Sequence, residues 1–144
     1  MQSAQHHYAE QAYMGIQEVK NSHADLVNEY GQLCHRFPSL VLTNGLRLAY
    51  IFFAKKAVLS KEAKPNAYRL YLAHMKEALQ MDTWEKGLGL ENRHGKVLSG
   101  TSSQTSYLYL SRNALNASVW FKRYAEAILK VEQRNDRSDS EGQV

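Results

Sequence analysis

The sequence is poor in cysteine, proline and glycine, with one, two and eight residues respectively among 144. Because Cys34 is the only cysteine, the chain cannot form an internal disulfide or a cysteine-rich metal cluster, and a reducing cytoplasm suits it. An all-β chain of this length would need many glycine or proline turns, whereas alanine, leucine, lysine, glutamate and glutamine favour helices. We therefore expect an all-α protein.

The N-terminus lacks the basic and then apolar layout of a secretory signal, which also favours a cytoplasmic location. The length suits one domain with a single core. We expect residues 1–133 to form one compact helical bundle. Residues 134–144 are almost devoid of apolar side chains, so we expect a disordered polar tail there.

Motifs for catalysis are missing from the sequence. It has no glycine loop of the kind that cradles phosphates, no serine elbow and no cysteine with a recognisable histidine signature. Cleavage of RNA with a metal ion would need carboxylates that converge on one site, but Glu10, Glu18, Asp25 and Glu29 are typical of exposed helix positions. We expect no catalytic residues.

The histidines do not have the spacing of metal ligands. His6 and His7 are adjacent, Cys34 and His35 are adjacent, and the other histidines stand alone. Neighbouring residues on a helix point about 100° apart, so neither pair can easily give two bonds to one ion. We expect no metal site and no cofactor, and a structural role for each histidine.

The most apolar stretch of the chain is residues 37–56, and its part from Phe37 to Ala54 is about long enough to cross a bilayer. Arg47 lies in its middle and would cost about 2.5 to 3.5 kcal/mol there, so we expect no membrane span. We predict instead a helix from Pro38 to about Leu59, apolar almost all round and therefore surrounded by the other helices. Asn44-Gly45 could alternatively form a β-hairpin, although the run lacks alternation. In a helix, Gly45 would let a neighbouring helix approach closely.

Apolar residues at spacings of three and four predict further helices on both sides of this central helix. The first runs from Ala4 to about Asn21, and a second ends before Pro38, unless the two form one long helix with a kink near Ser22. Others run from Pro65 or Asn66 to Met81, over 103–113 and over 114–133. The polar segment 60–66 should be a connector, 85–96 an excursion with at most a short helix, and 99–106 a loop that caps the next helix.

The net charge of +4 is compatible with a phosphate backbone as partner, but many proteins with such a charge bind no nucleic acid. The cations cluster at the end of the central helix and along the last one. Both groups of cations could also be stabilised without a ligand, by solvation and by the negative ends of the helix dipoles.

Two blocks of sequence resemble the small subunit of the type III-B (Cmr) CRISPR RNA-silencing complex. In the first, Phe37-Pro38 precedes an apolar run, Asn44-Gly45-Leu46 interrupts it, and Lys55-Lys56 ends it. The second comprises Tyr109 to Leu115 and Trp120 to Ala125. The resemblance extends from Tyr8 to about Ile128, in the order and at the length of that family.

The resemblance implies a subunit without enzymatic activity. Copies would stack on one another in a filament beside the backbone and large subunits of the complex and help to hold crRNA and target RNA. The basic residues within the matching motifs are the expected RNA contacts: Lys55, Lys56, Arg112, Lys122 and Arg123. Lys61 and Lys64 follow only by proximity, and residues 85–96 match no motif. The alternative is a helical adaptor that binds protein and no nucleic acid.

Overall fold

The computed structural model describes residues 3–58, 65–90 and 101–133, and within these ranges it contains helices and no strand. In chain order these are α1 (Ala4–Ser22), a 3-10 turn (Ala24–Leu26), α2 (Val27–Asn44), α3 (Leu46–Val58), α4 (Ala67–Leu79), α5 (Trp84–Gly87), α6 (Thr101–Tyr124) and a π-helical turn (Ala125–Leu129). The all-α prediction is confirmed, and the hairpin alternative at Asn44-Gly45 is wrong. No helix in the described ranges is long and apolar enough to cross a membrane.

Side chains cap several helix starts and explain where the helices begin. Ser3 Oγ accepts a hydrogen bond from the His6 amide at the start of α1. Asn66 Oδ1 accepts from the Arg69 amide at 2.9 Å, and Asn66 Nδ2 donates to the Lys56 carbonyl at 3.0 Å. One asparagine therefore caps α4 and also satisfies a carbonyl at the end of α3. The predicted helix from Pro65 or Asn66 to Met81 corresponds to α4.

The predicted central helix from Pro38 to about Leu59 is wrong in its start and in its continuity, although α3 ends close to the predicted position, at Val58. Pro38 lies inside α2, and the chain breaks instead at Gly45, whose φ of 87° and ψ of 161° are open almost only to glycine. Pro38 cannot donate to the Cys34 carbonyl, but Phe37 and Val41 on either side of it are buried, and this packing keeps the helix intact. Gly45 therefore ends one helix and starts the next.

Helix α3 is also not surrounded by other helices. Its inner face buries Leu46, Ala49, Tyr50, Phe53 and Ala57, but on its outer face Leu48, Ile51 and Phe52 remain 58%, 46% and 43% exposed. The prediction of an apolar helix enclosed by the bundle is thus wrong on this face.

Aromatic rings from four helices meet at the centre of the core. Tyr71 of α4 lies 5.2 Å from Phe37 of α2, 5.7 Å from Phe53 of α3 and 5.5 Å from Phe121 of α6, measured between ring centroids. All four side chains are fully buried. Tyr71, rather than a residue of α3, occupies the centre around which the described helices pack.

The last helix is longer than predicted. Residues 103–113 and 114–133 were expected as two helices, but α6 is continuous because Asn113-Ala114 contains neither glycine nor proline to stop it. The helix becomes a π-helical turn at Ala125, and Lys130 ends that turn with a φ of 61°. The loop predicted over 99–106 is already α6 from Thr101 onward, and its first two residues lie outside the described ranges.

The remaining boundaries agree in part. The break predicted near Ser22 is present, so α1 and α2 are two helices and not one kinked helix, but α2 does not end before Pro38. The excursion predicted over 85–96 contains the short helix α5, and 91–96 lie outside the described residues. The connector over 60–66 lies outside them as far as residue 64, and the predicted tail 134–144 lies wholly outside them.

Candidate nucleic-acid interface

Basic and acidic side chains are distributed unequally among the helices. Helix α3 carries Arg47, Lys55 and Lys56, and α6 carries Arg112, Lys122 and Arg123, and neither helix contains an aspartate or a glutamate. The acidic residues of the described ranges lie on α1, on α2 and the turn before it, on α4, at α5, and after α6. Positive potential is therefore concentrated along two helices.

Lys55 and Lys56 are exposed in the last turn of α3. The Lys56 ammonium lies 5.8 Å from the centroid of the exposed Phe52 ring, within the range of a weak cation–π contact. Both cations also face the negative end of the helix dipole, which stabilises them with no ligand present.

Lys122 and Arg123 occupy the last turn of α6. The Arg123 guanidinium lies 4.9 Å above the Trp120 ring, and the Trp120 indole N–H donates to Gln5 Oε1 of α1 at 2.8 Å. The indole is thereby tied to α1 and holds the guanidinium at the surface. Lys122 is half-buried, whereas Arg123 is exposed.

Arg112 is exposed in the middle of α6 and lies on the same face as Arg123. The two residues are eleven positions apart, which corresponds to three turns plus about 20° and to about 16 Å along the axis. Their guanidinium groups therefore lie on one line along the helix, and Lys122 points away from this line.

The structure does not bring the five predicted cations into one cluster. The Lys55–Lys56 pair lies at the end of α3, Arg112 in the middle of α6, and Lys122 and Arg123 at the end of α6. No ion pair with a described acidic side chain involves any of these five residues. They form separate positive positions on two acid-free helices.

Arg47, the remaining cation of α3, has a structural role. Its Nε–H donates to the Leu88 carbonyl at 3.1 Å, and its guanidinium lies 4.0 Å from the centroid of the Tyr107 ring. The Arg47 amide also donates to the Tyr107 hydroxyl at 3.3 Å. These contacts join the start of α3 to α6, and the Tyr107 hydroxyl is the group that a side chain on Gly45 would meet, at 3.5 Å. Because 3.5 Å is an ordinary van der Waals distance, the close helix approach expected at Gly45 is not found, and the glycine is needed there for its φ of 87°.

A hydrogen-bonded chain of Glu18, His74 and Tyr30 links α1, α4 and α2. The Glu18 carboxylate bonds His74 Nε2, and the Tyr30 hydroxyl lies 2.7 Å from His74 Nδ1. With the His74 proton on Nε2, Nδ1 accepts a hydrogen bond from the Tyr30 hydroxyl, and every donor has a partner. Burial lowers the pKa of His74, with Glu18 opposing this shift, and burial raises the pKa of Tyr30 well above its usual range.

This chain resembles the order of a catalytic triad but cannot act as one. The hydroxyl that would be the nucleophile belongs to Tyr30, which is fully buried, so no substrate can reach it. Cys34 is likewise buried, and burial raises the pKa of its thiol. In the described ranges no group of three histidine, cysteine, aspartate or glutamate side chains could hold a metal ion.

His35 fixes the segment that follows the π-helical turn. It is buried, and its Nε2–H donates to the Val131 carbonyl at 2.9 Å, while Gln32 Nε2 donates to the Glu132 carbonyl at 2.9 Å. Its other nitrogen, Nδ1, lies 3.7 Å from Glu126 Oε1. The predicted structural roles of the histidines are apparent at His35 and His74.

Sequence reasoning missed one aromatic residue beside a predicted cation. Tyr109 lies three positions before Arg112 and is 61% exposed, although the sequence motif to which it belongs gives it no role of its own. Its spacing of three from an arginine on a helix was the signal that could have identified the pair.

Comparison with known proteins agrees with this helical architecture. The sequence profile of the CRISPR-associated protein family Cas_Cmr5 matches residues 4–128. The fold is similar to the X-ray crystal structure of a CRISPR-associated Cmr5 family protein from Thermus thermophilus, with a TM-score of 0.65 and 23% sequence identity over 89% of this chain and 98% of that chain. No curated protein matches the chain.

The matched residues include α1 to α6 and almost all of the π-helical turn, and therefore all five predicted cations. The chain belongs to the Cas_Cmr5 family and is a subunit of the Cmr complex in CRISPR defence.

Proposed function

We propose that this chain is a non-catalytic subunit that stacks with further copies of itself beside the backbone and large Cmr subunits and holds guide or target RNA by its phosphates. The observation that carries the proposal is the segregation of charge, with six cations and no acid on α3 and α6. Neither helix itself places a carboxylate beside a phosphate strand that lies along it, and this favours binding of a polyanion.

The contacts should read phosphates and not base edges. Lysine is a point charge that suits a phosphate oxygen, and a complex programmed by its guide must accept any target sequence. Affinity should therefore fall with salt and vary little with sequence. The separation of the cations along two helices gives one subunit few simultaneous phosphate contacts, so strong binding would need several copies in register.

The second candidate is an adaptor that binds only protein. It is favoured by the outer face of α3, where Leu48, Ile51 and Phe52 are exposed in adjacent turns. On this reading, Lys55 and Lys56 would border a protein contact and would not face RNA.

Charge reversal distinguishes the RNA-binding subunit from the protein-only adaptor. Lys55, Lys56, Lys122 and Arg123 are changed together to glutamate, and target-RNA binding by the assembled complex is measured at two salt concentrations. We expect weaker binding and a smaller dependence on salt, because up to four phosphate contacts are lost. A matched control changes Lys20, Arg36, Arg69 and Lys130, which are exposed cations outside α3 and α6, to glutamate. It removes the same charge and should bind RNA with a much smaller loss.

Unchanged affinity and salt dependence in an intact complex would favour the protein-only adaptor. If the first variant no longer enters the complex while the control does, these four residues serve subunit contacts, and their assignment to RNA is withdrawn.

A further inference from the structure

An open cavity of about 230 Å³ lies against the first half of α6. It is lined by Thr105, Leu108, Tyr109 and Arg112. These residues recur at spacings of three and four, so they share one face of the helix. The cavity is part of the surface because Leu108 and Tyr109 are 67% and 61% exposed.

The side chains at this cavity differ in chemistry in a way that suits a nucleotide. The Tyr109 ring offers a flat π-face on which a base can stack, and Leu108 offers apolar contact beside it. The Arg112 guanidinium supplies the planar donors that suit a phosphate. An exposed tyrosine or leucine alone would be unremarkable, but here both flank an arginine at an open surface cavity.

The charge around the cavity favours a strand with several phosphates over a peptide with a single acidic side chain. Helix α6 has no acidic residue along its whole length, and Arg123 lies about 16 Å further along the same face as Arg112. A strand with a base on Tyr109 and a phosphate on Arg112 would find a second guanidinium along its path. A single acidic side chain would use only Arg112.

From these observations we infer that Tyr109 and Arg112 form a nucleotide site on which one base of a single-stranded RNA stacks while an adjacent phosphate bonds the guanidinium. This inference rests on the proposed function and adds a base contact to its phosphate contacts. Every base has a π-face, so stacking tolerates any sequence and agrees with a partner chosen by a guide.

The test compares two probes of equal length and equal charge: a single-stranded oligouridine and an abasic oligomer that lacks the bases. Binding of each to the full chain is followed by fluorescence anisotropy. The variants are Tyr109→Leu, which removes the ring, Tyr109→Phe, which keeps it, and Arg112→Gln. Tyr13→Leu, at an exposed tyrosine of α1, is the matched control.

We expect the unmodified chain to prefer oligouridine and Tyr109→Leu to abolish that preference. Its affinity for oligouridine should fall about tenfold, within the range for one stacked base, and its affinity for the abasic probe should stay the same. Tyr109→Phe and Tyr13→Leu should behave like the unmodified chain, whereas Arg112→Gln should weaken binding of both probes. Because Tyr109 is exposed, its substitution should leave the fold intact.

Equal affinity for the two probes, or no effect of Tyr109→Leu, would overturn the stacking site and leave the phosphate contacts standing. Failure of both probes to bind even at low salt would also overturn the stacking site, whereas the proposed function is decided separately by charge reversal in the assembled complex. If Tyr109→Leu binds oligouridine normally but does not enter the complex, the cavity is a protein contact.

Discussion

Tyr71 lies at the centre of the core and carries a buried hydroxyl that is not hydrogen-bonded to any described residue. The side chain is fully buried, and its hydroxyl has no hydrogen-bond partner among the described residues. A buried polar group without a partner costs about 1 to 3 kcal/mol, and burial also raises the pKa of this phenol well above its usual range. The ring therefore stabilises the core while its hydroxyl destabilises it.

Tyr71→Phe should consequently raise the free energy of unfolding by about 1 kcal/mol, because it keeps the ring and removes the unpaired group. Tyr30→Phe provides the control, since the Tyr30 hydroxyl bonds His74 Nδ1, and its removal should lower stability by a similar amount. Both values follow from urea unfolding monitored by circular dichroism. A loss of stability in Tyr71→Phe would mean that its hydroxyl has a partner after all.

His74 provides a second prediction at the residue scale. Burial lowers its pKa in the folded chain below the usual value of 6.5, so the unfolded chain takes up a proton first as the pH falls. Its contribution to stability is complete above the unfolded pKa and is lost as the pH falls toward the folded pKa. The groups that face His74 are Glu18, Tyr30 and the nearby His23, and Glu18 limits the size of the shift.

We therefore expect the thermal midpoint to fall as the pH is lowered from neutral into the acid range just below 6.5. His74→Gln should show a shallower fall of the thermal midpoint over the same interval, because it removes the contribution of His74. The other histidines are common to both proteins and contribute equally. Equal slopes for the two proteins would contradict a lowered pKa at His74.

At the scale of elements, α2 and the segment after the π-helical turn approach each other closely at Gly31. A methyl group added there would lie 2.5 to 2.7 Å from the side-chain carbons of Val131. Because Val131 is buried and branched at its β-carbon, it cannot swing away. His35 and Gln32 hold the backbone of the same segment, so the contact has little freedom to relax.

Gly31→Ala should therefore destabilise the protein by about 1 to 3 kcal/mol, the usual cost of overpacking. The double variant Gly31→Ala with Val131→Ala should recover part of this loss, since the smaller side chain leaves room for the methyl group. Chemical denaturation of the single and double variants measures the coupling. Strictly additive effects would show that the clash is not with Val131.

The elements also show what could be predicted from sequence and what could not. Periodicity identified α1 and α4 because each has a clear apolar stripe between polar ends. Periodicity did not give the correct helices between residues 37 and 56. Apolar residues occur there on all sides of a helix, so the pattern does not indicate which face is buried. The break at Gly45 depends on a backbone conformation that a helical pattern does not reveal. Pro38 lies inside α2 because the packing of its buried neighbours outweighs the local cost of a proline.

For the candidate site, the sequence could predict which residues belong to it but not how they are arranged in space. Sequence motifs selected Lys55, Lys56, Arg112, Lys122 and Arg123, but the assignment of these cations to RNA stays a prediction. Their separation on two helices depends on the tertiary packing of α3 and α6, which no local pattern records. Arg47 illustrates the same limit, because only the structure shows its guanidinium against Tyr107.

For the whole molecule, the described helices share one aromatic core, and each acid-free helix presents one face to that core and another outward. Burial requirements therefore restrict only half of each helix. The outer halves are free to carry function, and this explains how exposed apolar side chains and cations occur on helices that also hold the fold together.

The two tryptophans lie in very different surroundings. Trp84 is buried, stacks on Tyr50 at 5.0 Å and donates its indole N–H to the Leu72 carbonyl, whereas Trp120 is half-buried at the contact between α6 and α1. Their intrinsic emission consequently reports on separate events. Trp84 emits from an apolar interior until the core opens. Trp120 is the fluorophore within reach of a solute quencher such as iodide, and it lies against Arg123, one of the predicted RNA contacts. The unlabelled protein thus contains two intrinsic fluorescent probes. Trp84 reports unfolding of the core, and Trp120 reports the binding of a ligand at the end of α6.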